Sequence, residues 1–92
     1  MLNRKNKVLK VTGKVQGVFY RATAYEIAVK LGVVGFVMNL SDGSVLIEAE
    51  GTDEQLNQLI EWSRIGPQFA TVTAVEIIDG ELMGYSNFQI RR

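Results

Sequence analysis

The pattern of hydrophobic and polar side chains changes its period along the chain. From Lys7 to Val15 apolar and polar positions alternate loosely, which is typical of a strand with one buried face. From Arg21 to Leu31 the apolar residues fall at helical spacing, and Gly32 stands where a left-handed residue ends a helix. The apolar positions of this predicted helix are Ala24, Ile27, Ala28 and Leu31.

Two more strands follow the first predicted helix. They run from Val33 to Leu40 and from Ser44 to Glu50, and the turn between them contains Asp42 and Gly43. Val45, Ile47 and Ala49 share one face of the second of these strands. The first forty-odd residues of the pattern therefore predict a strand, a helix and a hairpin.

A capping box marks the start of a second helix. Thr52 is a hydroxyl N-cap and Gln55 stands three residues later. The helix should end by Ile65, because Gly66 and the only proline, Pro67, cannot continue it. Beyond it, the sequence predicts a strand from Val72 to Ile78, a turn at Asp79-Gly80 and a short terminal strand containing Phe88 and Ile90.

The resulting order is β-α-β-β-α-β with a possible short fifth strand. Two interlocked right-handed crossovers of this kind form an antiparallel sheet with both helices on one face, which is the ferredoxin-like α+β sandwich. With 92 residues the chain is long enough for one domain, residues 1–92, and we expect residues 1–6 to be a flexible basic tail. The fold alone does not select a function.

Composition narrows the possible chemistry. The chain has neither cysteine nor histidine, which removes thiol nucleophiles, thiolate metal sites and the commonest general base. Ten basic and ten acidic side chains cancel, so we do not expect a nucleic-acid binder. Residues 1–30 nevertheless carry seven basic residues against Glu26 alone. This asymmetry indicates either solvated strand faces with a charged tail or a local positive field around an anion site.

The sequence shows no membrane or export signal. The longest apolar stretch, Leu31 to Met38, is far shorter than the roughly 20 residues that cross a bilayer. Lys10 and Lys14 interrupt what would be the apolar region of a signal peptide. We therefore expect a cytoplasmic protein, and a monomer, since no exposed apolar stripe demands a partner.

The segment from Gly13 to Arg21 is the strongest candidate site. It joins a strand directly to a helix and carries Gly13 and Gly17, which let successive N–H groups point inward. The helix start adds unpaired N–H groups and a positive dipole end, and Arg21 can add a bidentate guanidinium. The alternative is a plain connection with a surface arginine. Of Phe19 and Tyr20, one is expected in the core and the other in the pocket.

These residues resemble the acylphosphatase family. The run VQGVFYR, residues 15–21, is similar to the family's signature loop, and GFVMNLSDGSV, residues 35–45, is similar to its second motif. Gly66-Pro67 with Ala70 and Val72, and then Phe88-Gln89-Ile90, resemble its later segments. The sequence departs from the usual pattern at Phe36, Tyr20 and Leu46, which affects substrate fit rather than the reaction.

The resemblance implies hydrolysis of small acyl phosphates without a metal, a cofactor or a covalent intermediate. Inorganic phosphate would be the product or an inhibitor. Asn39 would orient the attacking water and Arg21 would hold the phosphoryl group. The implied phosphate-binding residues are Val15, Gln16, Gly17, Val18, Phe19, Tyr20 and Arg21.

The same chemistry is reasonable for a chain without histidine. The carboxylate leaving group has a conjugate acid with a pKa of roughly 4, so it departs without protonation. Positioned N–H groups and one arginine can stabilise the charge of a dissociative phosphoryl transfer, and a neutral amide can orient water. We expect Asn39 to lie within about 6 Å of the predicted anion-binding loop between the first strand and the first helix. Its alternative role is to start the turn before Gly43.

Several alternatives remain open. The fold also serves RNA-recognition modules, although no RNP1-like run is present. A non-catalytic anion-binding or regulatory module would keep the anion-binding loop but would not catalyse hydrolysis. Glu48, Glu50 and Glu54 could hold Mg²⁺ or Ca²⁺, but we interpret them as a solvated face. Arg91 and Arg92 are expected to be solvated, and Trp62 to lie partly in the core.

Overall fold

A computed structural model describes residues 3–92, which form five strands and two helices. The predicted order of elements is confirmed. Their bounds are β1 Lys5–Lys14, α1 Tyr20–Leu31, β2 Val34–Asn39, β3 Val45–Gly51, α2 Asp53–Ser63, β4 Thr71–Gly80 and β5 Phe88–Arg91.

The strands form one sheet in the order β4-β1-β3-β2-β5. Within it, β1 pairs antiparallel with β3 and β4, and β2 pairs antiparallel with β3. The fifth strand departs from the predicted antiparallel sheet, because β5 runs parallel to β2. Its direction follows from the topology. β4 ends at the end of the sheet where β2 begins, so residues 81–87 cross that end and β5 starts beside the start of β2.

The core lies between the sheet and the two helices, which both cover one face as predicted. Val11, Val37 and Ile47 on the sheet are fully buried, and so are Ala28 on α1 and Leu59 on α2. Burying a side chain of the size of valine or leucine stabilises the fold by roughly 1.5–3 kcal/mol relative to leaving it exposed. The apolar faces that the strand and helix patterns of the sequence predict thus pack against each other in one core.

The two helices begin differently. Thr52 caps α2, since its hydroxyl accepts a hydrogen bond from the N–H of Gln55 at 3.2 Å while the Gln55 side chain accepts from the N–H of Thr52 at 2.9 Å. The predicted capping box is therefore confirmed. Helix α1 begins at Tyr20, one residue earlier than predicted, and has no side-chain cap. Its N-cap residue, Phe19, has a left-handed backbone with φ 67°.

Two predictions are wrong at the end of the sheet where β1 begins and β4 ends. Lys5 and Asn6 belong to β1, and Asn6 is buried, so the expected tail does not include them. Met1 and Leu2 lie outside the described residues. Asp79-Gly80 is not a turn, because β4 continues to Gly80, which pairs with Asn6. An ion pair between Lys7 and Asp79 accompanies this extension.

Glu50 is also not part of a solvated face. It is 2% exposed, and its carboxylate accepts hydrogen bonds from Asn6 and from the backbone N–H groups of Met83 and Gly84 at 2.6–3.1 Å. Glu48 accepts from the Tyr85 hydroxyl at 2.7 Å. These two carboxylates hold residues 83–85 against the sheet. Within residues 3–92 no group of three acidic side chains is arranged to hold a metal ion. No helix in the described part of the chain could span a bilayer.

Candidate active site

Three strands end at the same end of the sheet and form a cavity there. β1, β2 and β5 all run in one direction, because β1 and β2 are each antiparallel to β3 and β5 is parallel to β2. The cavity has a volume of about 300 Å³. It is lined by Val15, Gly17, Phe19, Tyr20, Arg21, Ala22, Asn39, Ile90 and Arg92. Arg21 and Asn39, which the sequence analysis singled out, therefore face one cavity.

The loop between β1 and α1 is shaped by two left-handed residues. Gly17 has φ 73° and Phe19 has φ 67°. Such a conformation costs a non-glycine residue of the order of 1–3 kcal/mol, and strain of this kind is typical of functional loops. Among residues 3–92, no oxygen accepts a hydrogen bond from the backbone N–H groups of residues 16–19. These donors, with those of the uncapped first turn of α1, remain free for an anion.

Gln16 and Val18 do not line the cavity with the other predicted phosphate-binding residues. The Gln16 side chain instead donates hydrogen bonds to the carbonyl oxygens of Leu40 and Ser44, both at 2.8 Å. It thus fastens the loop to the turn between β2 and β3. The Val18 side chain is buried in the core. Gln16 and Val18 were predicted to bind phosphate through their backbone groups. Their side chains instead hold the loop in place.

The structure assigns Phe19 and Tyr20 to different environments. Tyr20 is 1% exposed, donates a hydrogen bond to the Ser63 carbonyl at 2.8 Å and packs against Trp62, with ring centroids 5.0 Å apart. Burial raises the pKa of its phenol. Phe19 is 72% exposed. Both residues border the cavity, but Tyr20 is a core residue that anchors the start of α1, and Phe19 forms the outer wall.

Arg21 lies in the first turn of α1 with its side chain half-buried. Its Nη1 donates to the Arg91 main-chain carbonyl at 3.5 Å, so the end of β5 limits where the guanidinium can point. Within the described residues Arg21 takes part in no salt bridge. Its positive charge is therefore directed to the cavity without an acidic partner.

Asn39 is the last residue of β2, and its Oδ1 is buried. Within residues 3–92 this oxygen accepts no hydrogen bond. A buried amide oxygen without a partner costs about 1–3 kcal/mol, so such an atom calls for a functional explanation. The turn that Asn39 was alternatively expected to start is instead held by Asp42, which accepts a hydrogen bond from the Ser44 N–H at 2.9 Å.

Asp42, in the turn between β2 and β3, has a strongly lowered pKa. Hydrogen bonds from the Ser44 hydroxyl and N–H, followed by that from Lys10, hold the pKa of the Asp42 carboxyl well below its ordinary value. The Lys10 ammonium lies 2.9 Å from this carboxylate. Asp42 does not line the cavity. The shift therefore belongs to the stability of the turn.

Sequence reasoning missed the contribution of β5. Ile90 and Arg92 line the cavity, although Arg92 was expected to be merely solvated. The guanidinium of Arg91 lies 3.9 Å from the ring centroid of Phe36, against an aromatic side chain of β2. No local pattern marks these residues, because only the pairing of β5 with β2 brings them to the cavity.

The arrangement combines four features that suit a phosphate-like anion undergoing attack by water. Free backbone N–H groups, a helix N-terminus and an unpaired guanidinium favour negative charge. The buried Oδ1 of Asn39 can accept a hydrogen bond from a water molecule beside that anion. No cysteine or histidine is available anywhere in the chain for covalent or acid–base catalysis.

Comparisons with known proteins show the family of this chain. The acylphosphatase family model matches residues 7–90. The chain is 42% identical over 83 residues to an acylphosphatase of Methylococcus capsulatus, covering 89% of this chain and 90% of that protein. The structure of an acylphosphatase from Coxiella burnetii superposes with a TM-score of 0.93 at 37% identity, over 97% of this chain and 94% of that one.

A third similarity is to part of a much larger protein. Full-length HypF, solved with phosphate and nucleotide bound, superposes with a TM-score of 0.94 at 26% identity. The match covers 100% of this chain but only 12% of HypF. The family model nevertheless spans nearly the whole sequence, and the bacterial relatives match over nearly their full length. This chain belongs to the acylphosphatase family.

Proposed function

We propose that the protein hydrolyses the carboxyl–phosphate bond of small acyl phosphates by direct attack of water. The observation that carries this proposal is the shared cavity. Arg21, the loop with free N–H groups and the unpartnered Oδ1 of Asn39 all border it. An anion and a water molecule can therefore be held side by side.

The loop and Arg21 would bind the phosphoryl group. Backbone N–H groups of the segment from Val15 to Tyr20 donate to its oxygens, and Arg21 supplies a charge-assisted, bidentate contact. Because these donors are fixed before the substrate arrives, they stabilise charge that develops on the oxygens at no cost in reorganisation. Gln16 supports this role indirectly, since it ties the loop to the turn after β2.

Asn39 would orient the nucleophile. A water molecule that donates a hydrogen bond to Oδ1 presents its lone pair to phosphorus. As the water oxygen bonds to phosphorus, the bond from phosphorus to the acyl oxygen breaks and the carboxylate leaves with the electron pair. The proton of the water passes to a phosphate oxygen or to solvent.

The leaving group explains why no general acid is needed. A carboxylate is stable as an anion at neutral pH, since its conjugate acid has a pKa of roughly 4. Among residues 3–92, the charged side chains that line the cavity are Arg21 and Arg92, and no carboxylic acid side chain lines it with them. An alkyl phosphate, which expels an alkoxide, would be a poor substrate for the same reason.

The finer expectations from the sequence stay predictions. They are turnover without a metal ion, inorganic phosphate as product or inhibitor, a monomeric state, a cytoplasmic location and no role for nucleic acid. Turnover in excess EDTA tests the first, and a gel shift at moderate salt tests the last.

The decisive experiment follows benzoyl phosphate hydrolysis by ultraviolet absorbance in EDTA, with inorganic phosphate as inhibitor. We expect Arg21→Ala to lose phosphate binding and turnover together. Asn39→Ala should keep phosphate inhibition while kcat falls by about 10²-fold or more, the effect of removing one positioned polar group. Arg64→Ala and Asn57→Ala, at exposed positions on or next to α2, are the matched controls.

Two outcomes would contradict the proposal. Equal loss of phosphate inhibition and turnover in Asn39→Ala would show that Asn39 is not specific to the water. Phosphate binding without any turnover by the wild-type protein would mean that the cavity is an anion-binding module rather than an active site.

A further inference from the structure

Arg92 is a second arginine at the cavity, and the proposed mechanism does not use it. It lines the cavity together with Arg21, and no Asp or Glu side chain among residues 3–92 lines it with them. Arg92 also forms no salt bridge within the described residues. A phosphate group carries a charge of about −1.5 to −2 at neutral pH, which exceeds the single positive charge of Arg21.

The strand register explains why Arg92 reaches the site. β5 lies beside β2 in parallel, with Arg91 opposite Met38. The next residues are Arg92, directly after β5, and Asn39, the last residue of β2. Successive side chains of a strand point to opposite faces. Accordingly the Arg91 guanidinium lies over Phe36, whereas Arg92 borders the cavity.

We infer that Arg92 is a second anion-binding residue, which draws the phosphoryl group of the substrate, and inorganic phosphate, into the cavity. This inference rests on the proposed function, since it uses the same phosphate site. Arg92 is exposed, so its attraction acts through solvent and is screened by salt over a Debye length of about 8–10 Å. It strengthens binding of the ground state and the transition state alike, and so affects KM rather than kcat.

The test measures inorganic phosphate affinity by calorimetry at low ionic strength, and the kinetics of benzoyl phosphate hydrolysis beside it. We expect Arg92→Gln to weaken phosphate binding and raise KM by roughly threefold to fivefold, the range for one exposed ion pair. The value of kcat should stay within about twofold of wild type. Arg92→Lys should retain most of the affinity, because it keeps the charge.

Two other arginine variants control for the loss of charge. Arg64→Gln removes the same charge from the end of α2, at a residue that does not line the cavity, and should leave phosphate affinity as in wild type. Arg91→Gln removes it from the neighbouring residue on β5, whose side chain contacts Phe36 instead. Its effect should be less than half that of Arg92→Gln. Added salt should weaken phosphate binding by wild type more steeply than by Arg92→Gln.

The inference is overturned if Arg92→Gln binds phosphate as wild type does, if Arg91→Gln or Arg64→Gln loses as much affinity, or if kcat falls while KM is unchanged. Its failure is distinguishable from failure of the proposed function. Phosphate affinity is measured without turnover, so it reports on Arg92 even if benzoyl phosphate is not hydrolysed. Conversely, a normal Arg92→Gln variant leaves the tests of Arg21 and Asn39 untouched.

Discussion

At the residue scale, Glu50 shows how a side chain far from the cavity supports it. Burial alone would raise the pKa of the Glu50 carboxyl, but hydrogen bonds from Asn6 and from three backbone N–H groups outweigh burial and hold it below its ordinary value. Those N–H groups belong to Met83, Gly84 and Tyr85, in the segment that leads into β5. The carboxylate thus anchors the approach of β5 to β2.

This anchor predicts a loss of stability in acid. Because the pKa of Glu50 is lower in the folded state than in the unfolded chain, its contribution is complete above the unfolded value of about 4.5 and is lost as the pH falls through the folded value. Urea unfolding at pH 7 and at lower pH should show this loss in wild type. Glu50→Gln should remove the part of this loss that Glu50 causes, while the parts due to Asp42 and Asp79 remain. It should also destabilise the protein at pH 7 by about 1–3 kcal/mol, since its amide cannot accept all the same hydrogen bonds.

The control is Glu26→Gln, at an exposed position in the middle of α1. It should change the free energy of unfolding at pH 7 by no more than about 0.5 kcal/mol, as surface substitutions usually do. If Glu50→Gln retained the same acid dependence as wild type, the Glu50 anchor would not contribute to the loss of stability in acid.

At the scale of elements, the contrast between the two helix starts separates stability from function. Helix α2 satisfies its first N–H groups internally with Thr52 and Gln55, and the Gln55 amide also donates to the Leu31 carbonyl at the end of α1 at 3.0 Å. Helix α1 has no side-chain cap, and its N-terminus opens on the cavity. The uncapped end is the one suited to an anion.

Removing the cap of α2 should therefore lower stability without changing catalysis. We expect Thr52→Ala to reduce the free energy of unfolding by about 1 kcal/mol, the usual cost of losing a hydroxyl cap. The KM and kcat for benzoyl phosphate, measured well below the unfolding temperature, should match wild type. Thr73→Ala, at an exposed position of β4, is the matched control and should cost less. A change in kcat for Thr52→Ala would show that α2 is coupled to the site.

At the scale of the whole molecule, the site exists only because β1, β2 and β5 end together. A ligand that binds there binds only the folded chain, so inorganic phosphate should raise the unfolding free energy by about 2.7 kcal/mol at 100 times its Kd. Thermal unfolding at increasing phosphate concentration measures this. Arg21→Ala should lose the dependence and Arg64→Ala should keep it.

Phosphate binding at a second basic cleft would contradict that prediction. It has a volume of about 310 Å³, lies where β1 begins and β4 ends, and is lined by Arg4, Lys5 and Lys7 among others. Lys5 and Lys7 are paired with Asp53 and Asp79. If Arg21→Ala were stabilised by phosphate as strongly as wild type, binding at this cleft, and not at the cavity, would be the source.

Much of the fold follows from local pattern. The alternation in β1, the helical spacing in α1 and the capping box of α2 each fix an element by short-range sterics and hydrogen bonding. The ends of the elements were less predictable. Asp79-Gly80 carries a turn signal, yet pairing with Lys7 and Asn6 keeps both residues in β4. Cross-strand contacts thus override a local preference.

The candidate site divides in the same way. The glycines and Arg21 could be found in the sequence, because a loop between a strand and a helix with an arginine after it is a local feature. Asn39 was predicted only through the resemblance to the family's second motif, since its local pattern equally suits the start of a turn. Ile90 and Arg92 could not be found in the sequence, since their place depends on a parallel pairing with a strand some fifty positions earlier in the chain. Gln16 likewise acts through the carbonyls of Leu40 and Ser44, which no local pattern reveals.

By itself the sequence determined the order of the elements, the class of fold, the position of the loop that is proposed to bind an anion, and the absence of thiol or imidazole chemistry. These depend on neighbouring residues and on composition. The tertiary structure alone decided that Tyr20 is buried while Phe19 is exposed, that Glu50 is a buried anchor and that Arg92 borders the cavity. Each of these outcomes depends on which distant groups share an environment, and only the packing of the whole chain sets that.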